Sequence, residues 1–325
     1  SLISSFGCSC FFFVIIFLIV NYLKCFWFRF IMKIVFLGTS AMLPIKERNT
    51  NSIFINYNNE GILLDCGEGT QKQLRIAGIS PTKITKLLIT HWHGDHVLGI
   101  PGLIQSLGMS NYSKKLQIYG PKGSKNFFRN MISGIIFKSN IVYEIIEINE
   151  GKFFENSDFY LSSSNVKHSV NCLAYSLVEK DKLKINLNYT KKFGLTQHPL
   201  LGELQMGKDI KYQGKLITVK KATFLKKGRK FTFIMDTAYD DNLIKIAANS
   251  ELLVCESTWL EKDKIKEYQH LSAKDAGKIA KKAKVKKLVL THFSQRYKNL
   301  NEILKEAKNE FKNVQVAYDL MSFEI

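Results

Sequence analysis

The chain is predicted to be an α/β protein built as an αββα sandwich, on three observations. From residue 32 onward, short apolar strands alternate with helical stretches. The alternation occurs twice, in a half reaching about residue 178 and again from residue 231. In both halves, histidines or aspartates stand directly after apolar runs. Two β-rich halves that each carry helices and each deliver polar side chains at strand ends pack as sheet against sheet. The helices then lie outside, and the polar side chains gather at the rim.

The elements follow in order from the apolar runs. Lys33-Ile34-Val35-Phe36-Leu37, after Met32, opens the pattern as a strand. Residues 52–57 and 61–65 read as a hairpin around the turn Asn58-Asn59-Glu60. Gly67-Glu68-Gly69-Thr70 leads into a short helix ending near Gly78. Strands at 87–90 and 116–119 flank a helical stretch at 99–109, and residues 141–178 have β character. In the second half, strands at 231–235, 252–256, 288–291 and 314–317 alternate with helices at 240–248, 272–283 and 300–311. Ser272 and Asp275 have the spacing of a capping box, with aspartate in place of the usual glutamate or glutamine.

Residues 180–212 interrupt this pattern. They are polar and lysine-rich, broken by Gly194, Pro199, Gly202 and Gly207. A segment of that length inside an otherwise compact domain is commonly functional. The plainer alternative is a floppy surface insertion.

With 325 residues, 46% hydrophobic and 23% charged, the chain can bury a substantial core and is not disordered by composition. A net charge of +19 points to an anionic partner, nucleic acid ahead of a membrane surface, although a lysine-rich proteome explains it equally well. Residues 1–31 differ from the rest. Ser1 to Leu23 carries no charge, and residues 11–20 are apolar throughout. Such a segment is long enough to cross a bilayer or to act as an uncleaved signal anchor. Because the chain opens with Ser1 and Met32 begins a clean strand, we expect 1–31 to be a start-site artefact and 32–325 the working domain. The alternative is a membrane anchor with the catalytic domain in the cytosol. Beyond the head only Cys66, Cys172 and Cys255 remain, widely spaced and odd in number. They form no disulfide framework and fit a reducing, cytoplasmic setting.

The densest chemistry is Thr90-His91-Trp92-His93-Gly94-Asp95-His96, which follows the apolar run Leu87-Leu88-Ile89. His91, His93, Asp95 and His96 are more ligands than one tetrahedral zinc takes from so short a loop. Alternate side chains of an extended strand point opposite ways, and a turn after Gly94 swings Asp95 and His96 toward a second position. Two adjacent metals are expected. Imidazole and carboxylate ligands suit zinc, and the lack of cysteine ligands argues against a closed structural site. A solvated His-rich turn is the bland alternative. His168, Asp236 and His292 each end a plausible strand. Singly, each reads as an ordinary polar residue. Together with the first cluster they make a set suited to two catalytic zincs with positions open to water, and the Asp236 carboxylate is placed to bridge.

His91-Trp92-His93-Gly94-Asp95-His96 resembles the signature of the metallo-β-lactamase superfamily. The flanking runs Phe36-Leu37-Gly38-Thr39-Ser40, Leu64-Asp65-Cys66-Gly67-Glu68-Gly69-Thr70-Gln71, Gly99-Ile100-Pro101-Gly102-Leu103 and Leu290-Thr291-His292-Phe293-Ser294-Gln295-Arg296-Tyr297 are similar to those of the short-form ribonuclease Z family, tRNA 3′-processing endonucleases. The resemblance covers essentially residues 32–325. It implies an αββα sandwich of the metallo-β-lactamase type with a projecting arm inserted in the domain. It also implies two Zn2+ per subunit, one held by His91, His93 and His168, the other by Asp95, His96 and His292, with Asp236 bridging. Asp95 would accept the proton of the attacking water, His270 in Gln269-His270-Leu271-Ser272 would be the proton donor, and Glu256 in Cys255-Glu256-Ser257-Thr258 would orient His270.

By the same resemblance, residues 180–212 correspond to an arm that grips the tRNA elbow, with Lys191, Lys192 and Lys208 as RNA contacts. His198 reads as surface at its tip. Precursor tRNA is the implied partner, a homodimer the implied assembly, and membrane association is expected only if 1–31 is an anchor. Some positions depart from the family pattern: Met235 stands for a glycine, Cys255 for a histidine and Leu271 for a serine. Lys83 lies where a longer basic motif is common, and Gln197-His198-Pro199 replaces a Gly-Pro turn. The implied reaction is metal-assisted hydrolysis of an RNA phosphodiester. The runner-up is a hydrolase of the same fold acting on small phosphodiesters, since fold alone does not fix substrate. A non-catalytic RNA-binding module is disfavoured because every expected ligand position is filled.

Overall fold

The computed structural model describes residues 32–136 and 141–325. The head, 1–31, on which the start-site and anchor readings fall, lies outside the described residues. Among those described, no helix is long and apolar enough to cross a membrane.

The first half builds one sheet and its helical cover. Strand β1 (Met32–Gly38) pairs antiparallel with β2 (Ser52–Tyr57), which turns into β3 (Glu60–Leu64) through Asn58 at φ 55°. Helix α1 (Thr70–Ile76) leads to β4 (Ile84–Leu88), and the short α2 (Gly94–Val97) and longer α3 (Ile100–Gly108) lead to β5 (Lys115–Gly120). Helix α4 (Ser124–Ser133) precedes β6 (Val142–Glu147). From β3 to β6 the neighbours pair in parallel. The apolar faces of α1, α3 and α4 cover the outer side of this sheet through Leu74, Leu103, Ile104, Leu107 and Phe128.

The second half builds the opposing sheet. Antiparallel strands β7 (Gly151–Glu155), β8 (Phe159–Val166) and β9 (Cys172–Glu179) open it. The chain then leaves the sandwich. Strand β10 (Lys182–Ile185), helices α5 (Leu187–Thr190) and α6 (Leu200–Gln205), the hairpin of β11 (Ile210–Tyr212) and β12 (Lys215–Ile217), α7 (Val219–Ala222) and β13 (Thr223–Lys226) form a separate small unit. Among the described residues, strands β10 and β13 pair only with each other, Lys182 opposite Lys226 and Ile185 opposite Thr223. The hairpin turns at Gln213 and Gly214, both at positive φ, as tight two-residue hairpins require. A core of Leu195, Leu201, Leu204, Ile210, Ile217 and Ala222 holds the unit together. Residues 180–212 are therefore part of a folded unit and not a floppy insertion, and the unit's second anchoring strand lies beyond residue 212.

Back in the sheet, β14 (Lys230–Ile234) pairs antiparallel with β9. Helix α8 (Asn242–Ala247), β15 (Leu252–Glu256), α9 (Ala273–Lys282), β16 (Lys287–Thr291), α10 (Asn301–Glu310) and β17 (Val314–Val316) then run as a parallel series. The capping box of α9 is present: Asp275 N donates to Ser272 Oγ and Ser272 N to Asp275 Oδ2, both at 3.1 Å. The last strand, β18 (Ser322–Glu324), which sequence patterning missed, returns to the first sheet beside β1.

The strand orders are β18-β1-β2-β3-β4-β5-β6 and β17-β16-β15-β14-β9-β8-β7. Between the sheets lies an apolar core that includes Phe36, Tyr57, Phe159, Tyr175, Phe231 and Val254. Helices α8, α9 and α10 cover the far face of the second sheet. The architecture is the expected αββα sandwich. Parallel α/β sheets present their loops at the carboxyl ends of the strands, and here both sheets do so at the same rim.

Candidate metal centre

Five of the seven expected ligands stand just beyond strand ends. His91 and His93 follow β4, His168 follows β8, Asp236 follows β14 and His292 follows β16. Asp95 and His96 lie in α2, pressed against the loop after β3 by a close backbone approach. A side chain at Gly99 would meet the Gly67 carbonyl oxygen at 2.1 Å, and one at Gly67 would meet that of Asp95 at 2.4 Å. Only glycines permit this contact, which places Cys66 N on His96 O at 2.7 Å.

The fold brings these residues into two adjoining groups whose ligand atoms lie within 4.8 Å of one another: His91, His93, His168 and Asp236 in one, Asp95, His96 and His292 in the other. In the first, His91 Nε2 is 3.0 Å and His168 Nε2 3.3 Å from His93 Nδ1. In the second, His96 Nε2 and His292 Nε2 are both 3.4 Å from Asp95 Oδ2. Asp236 lies between them. Its Oδ2 is 3.7 Å from His91 and 3.9 Å from His168, while its Oδ1 is 3.3 Å from His96 and 3.2 Å from His292. A third grouping joins Asp236 and His292 with His270. We discount it as a binding set, because His270 Nδ1 already faces both Glu256 oxygens at 3.2 Å.

The donors fit divalent metal ions. His96 Nε2 and Asp236 Oδ1 are buried without a hydrogen-bond partner, a costly state for polar atoms that a cation would relieve. Burial holds the imidazoles of His91, His93 and His168 below their ordinary pKa, in the neutral form that binds metal. Burial opposes ionisation of Asp95 and Asp236. The facing histidines outweigh it, His96 foremost at Asp95 and His292 foremost at Asp236, so both carboxyls are held below the usual range.

Partners on neighbouring strands fix the rings. Asp65, at φ 55° and fully buried, receives His96 Nδ1 at 2.7 Å, Thr90 N at 2.8 Å and Asn51 Nδ2 at 3.0 Å. Thr90 Oγ1 lies 3.1 Å from His91 Nδ1. Thr258 Oγ1 lies 3.1 Å from His292 Nδ1 and donates to Glu256 Oε2 at 2.6 Å. Each arrangement leaves the Nε2 atoms of His91, His96 and His292 turned toward the centre. Glu256 Oε1 also accepts from Thr237 N at 2.8 Å. Burial lowers the pKa of His270, but Glu256 first and Asp236 next more than offset this and raise it to about 9. Met42, at φ 57°, donates its backbone N–H to Asp95 Oδ2 at 2.8 Å.

The supporting roles of Asp65, Thr90 and Thr258 and of the Met42 amide carry no signal in the sequence, because each depends on contacts between distant segments or with the backbone. Lys191, Lys192 and Lys208 lie exposed on the inserted unit, apart from the cluster, with Lys208 paired to Glu203 at 3.2 Å. His198 is not part of the cluster: its Nδ1 accepts from Leu200 N at 3.1 Å, and its ring packs edge-on to Tyr212. The three departures at the site's borders point away from it. Met235 is buried between the sheets, and Cys255 and Leu271 in the core beneath the outer helices.

Residues 32–199 match a family model described as "Anti-Pycsar protein Apyc1", a span that takes in His91 to His168 but ends before Asp236. Relatives named Ribonuclease Z extend across both halves. That of Nanoarchaeum equitans is 40% identical over 287 residues, covering 87% of this chain and 90% of the relative. Among solved structures, the short form of human tRNase Z superposes with a TM-score of 0.65 at 27% identity, covering 90% of this chain and 98% of that one. The metallo-β-lactamase fold protein YhfI of Bacillus subtilis superposes at 0.67, with 19% identity over 91% of this chain and 100% of that one, and supports the fold. The chain belongs to the ribonuclease Z family and has the metallo-β-lactamase fold.

Proposed function

We propose that this protein is a zinc-dependent endoribonuclease that removes the 3′ trailer from precursor tRNA. It would leave a 3′-hydroxyl on the tRNA and a 5′-phosphate on the trailer. The observation that carries the reading is the Asp236 carboxylate, shared between two histidine groups, with the His270–Glu256 pair beside it. The name shared by the full-length relatives supports the substrate.

Two zinc ions per subunit suit a donor set of imidazole and carboxylate, His91, His93 and His168 on one side, Asp95, His96 and His292 on the other, Asp236 between. Bound there, the cations would polarise the phosphoryl oxygens and lower the pKa of a coordinated water toward neutrality. Asp95 accepts the proton of the attacking water, steadied by the Met42 amide. As the water oxygen bonds to phosphorus, the bond from phosphorus to O3′ of the last tRNA nucleotide breaks. His270, its Nδ1 held by Glu256, presents Nε2 to that oxygen and gives it a proton, a contribution of roughly 10²–10⁴-fold for a true general acid. Lys191, Lys192 and Lys208 hold phosphates of the tRNA body through the inserted unit, fixing position without reading sequence.

The buried free thiols of Cys66, Cys172 and Cys255 are consistent with a cytoplasmic setting. The homodimer rests on the family resemblance alone. Light scattering tests the dimer, and metal analysis tests the stoichiometry, less than about one zinc per chain contradicting it. The reaction is tested by incubating the protein with a 3′-extended precursor tRNA and mapping the ends. A single cut after the discriminator nucleotide, abolished by a chelator, is the expected result. Scattered cuts or none would overturn the proposal.

A further inference from the structure

Beside the metal cluster, Arg296, Trp259 and Tyr268 form a layered stack that the chemistry above does not use. The Arg296 guanidinium lies 4.3 Å from the Trp259 ring centroid. Tyr268 stacks on the same indole, with centroids 6.3 Å apart and planes inclined by 16°. Trp259 is 5% exposed and its Nε1–H is buried without a partner, whereas Tyr268 is 58% exposed.

The stack is tied to the reacting groups on every side. Trp259 follows Thr258, whose hydroxyl bonds Glu256 and lies against His292. Its backbone is tied to the residues after His270, Trp259 N donating to Leu271 O at 3.2 Å and Ala273 N to Trp259 O at 2.9 Å. Arg296 lies four residues beyond His292, and Ser294 N donates to Thr258 O at 3.4 Å. Tyr268 precedes His270 by two residues, so their Cα atoms are at most about 7 Å apart.

Resting on the reading under Proposed function, we propose that Tyr268, backed by Trp259 and Arg296, is a stacking platform for the discriminator base, the last nucleobase of the tRNA product. His270 serves the O3′ atom of that nucleotide, and Tyr268 is its close neighbour along the chain. Cation–π contact with Arg296 and stacking on Tyr268 hold the indole flat. An exposed aromatic ring laid on such a base offers a π-face that accepts any of the four bases. That suits recognition of RNA by shape and by its unpaired ends.

The test combines variants of the full chain with altered precursors. The substrates are an intact 3′-extended precursor tRNA, the same RNA abasic at the discriminator, the same RNA abasic at the first trailer nucleotide, and bis(p-nitrophenyl) phosphate. Tyr268→Ala should lower kcat/KM on the intact precursor by roughly 5- to 150-fold. It should cause no further loss on the discriminator-abasic RNA, and turnover of the small ester should be unchanged. Tyr268→Phe and Tyr268→Trp should retain activity within about twofold, since the face of the ring is kept. Equal losses on the intact and discriminator-abasic RNAs would overturn the assignment. Coupling to the trailer nucleotide instead, or loss on the small ester, would do the same. Failure of the unaltered chain to cut the precursor would overturn the underlying reading and this inference with it; cutting without coupling overturns this inference alone.

Discussion

The side chains of the metal cleft are held from outside, by carboxylates and hydroxyls on neighbouring strands, whereas Lys191, Lys192 and Lys208 of the inserted unit are exposed around a small core of its own. His96 is fixed by Asp65 and His292 by Thr258. Lys191 and Lys192, by contrast, occupy an exposed turn. No residue of the insert's core belongs to any of the three cores of the sandwich. The unit joins the body where β9 and β14 pair, through close contacts such as Arg229 Nη2 with Glu179 Oε1 at 2.6 Å. On the proposed function the two regions divide the labour: bond breaking in the cleft, grip on the RNA in the insert.

The comparison breaks most severely at Asp236. Asp236→Ala removes the carboxylate that faces both histidine groups. It should cut turnover of precursor tRNA and of a small phosphodiester alike by roughly 10³-fold or more, since metal charge stabilisation is worth several kcal/mol. Retention of either activity would show that the shared carboxylate is not central. Asp65→Asn keeps the shape but removes the charge that orients His96. Metal affinity, measured by competition with a chelator, should fall roughly 10–100-fold. An unchanged affinity would mean that burial alone holds the ring. The smallest effects belong to the insert. Alanine at Lys191, Lys192 or Lys208 should each weaken binding of precursor tRNA and reduce the slope of log affinity against log salt by about one or less. Hydrolysis of the small ester should not respond. Lys208 should show the least, because Glu203 already pairs with it.

His91, Asp236 and His292 were legible because each comes at the end of an apolar run, and a strand end is a local signal. Their supports were not, since those arise from parallel pairing across distant segments. Leu64 registers with Leu88, which brings Asp65 beside Thr90 and His96. Glu256 registers with Thr291, which brings Thr258 beside His292. No local periodicity encodes either register. The insert was visible as a break in the pattern, but its fold was not. Strands β10 and β13 are separated by the whole unit, and its core draws on scattered residues such as Leu195, Leu204 and Ile217. Helix α4 was likewise missed, its buried face amounting to little beyond Phe128.

The division of labour is tested most directly by replacing residues 182–226 with a short Gly/Ser turn. The measurement is the ratio of kcat/KM on precursor tRNA to that on bis(p-nitrophenyl) phosphate. The account predicts that activity on the RNA falls by at least roughly 10²-fold, from the loss of several phosphate contacts, while the small ester is hydrolysed as before and confirms an intact cleft. An equal fall on both substrates, or no fall on the RNA, would contradict it.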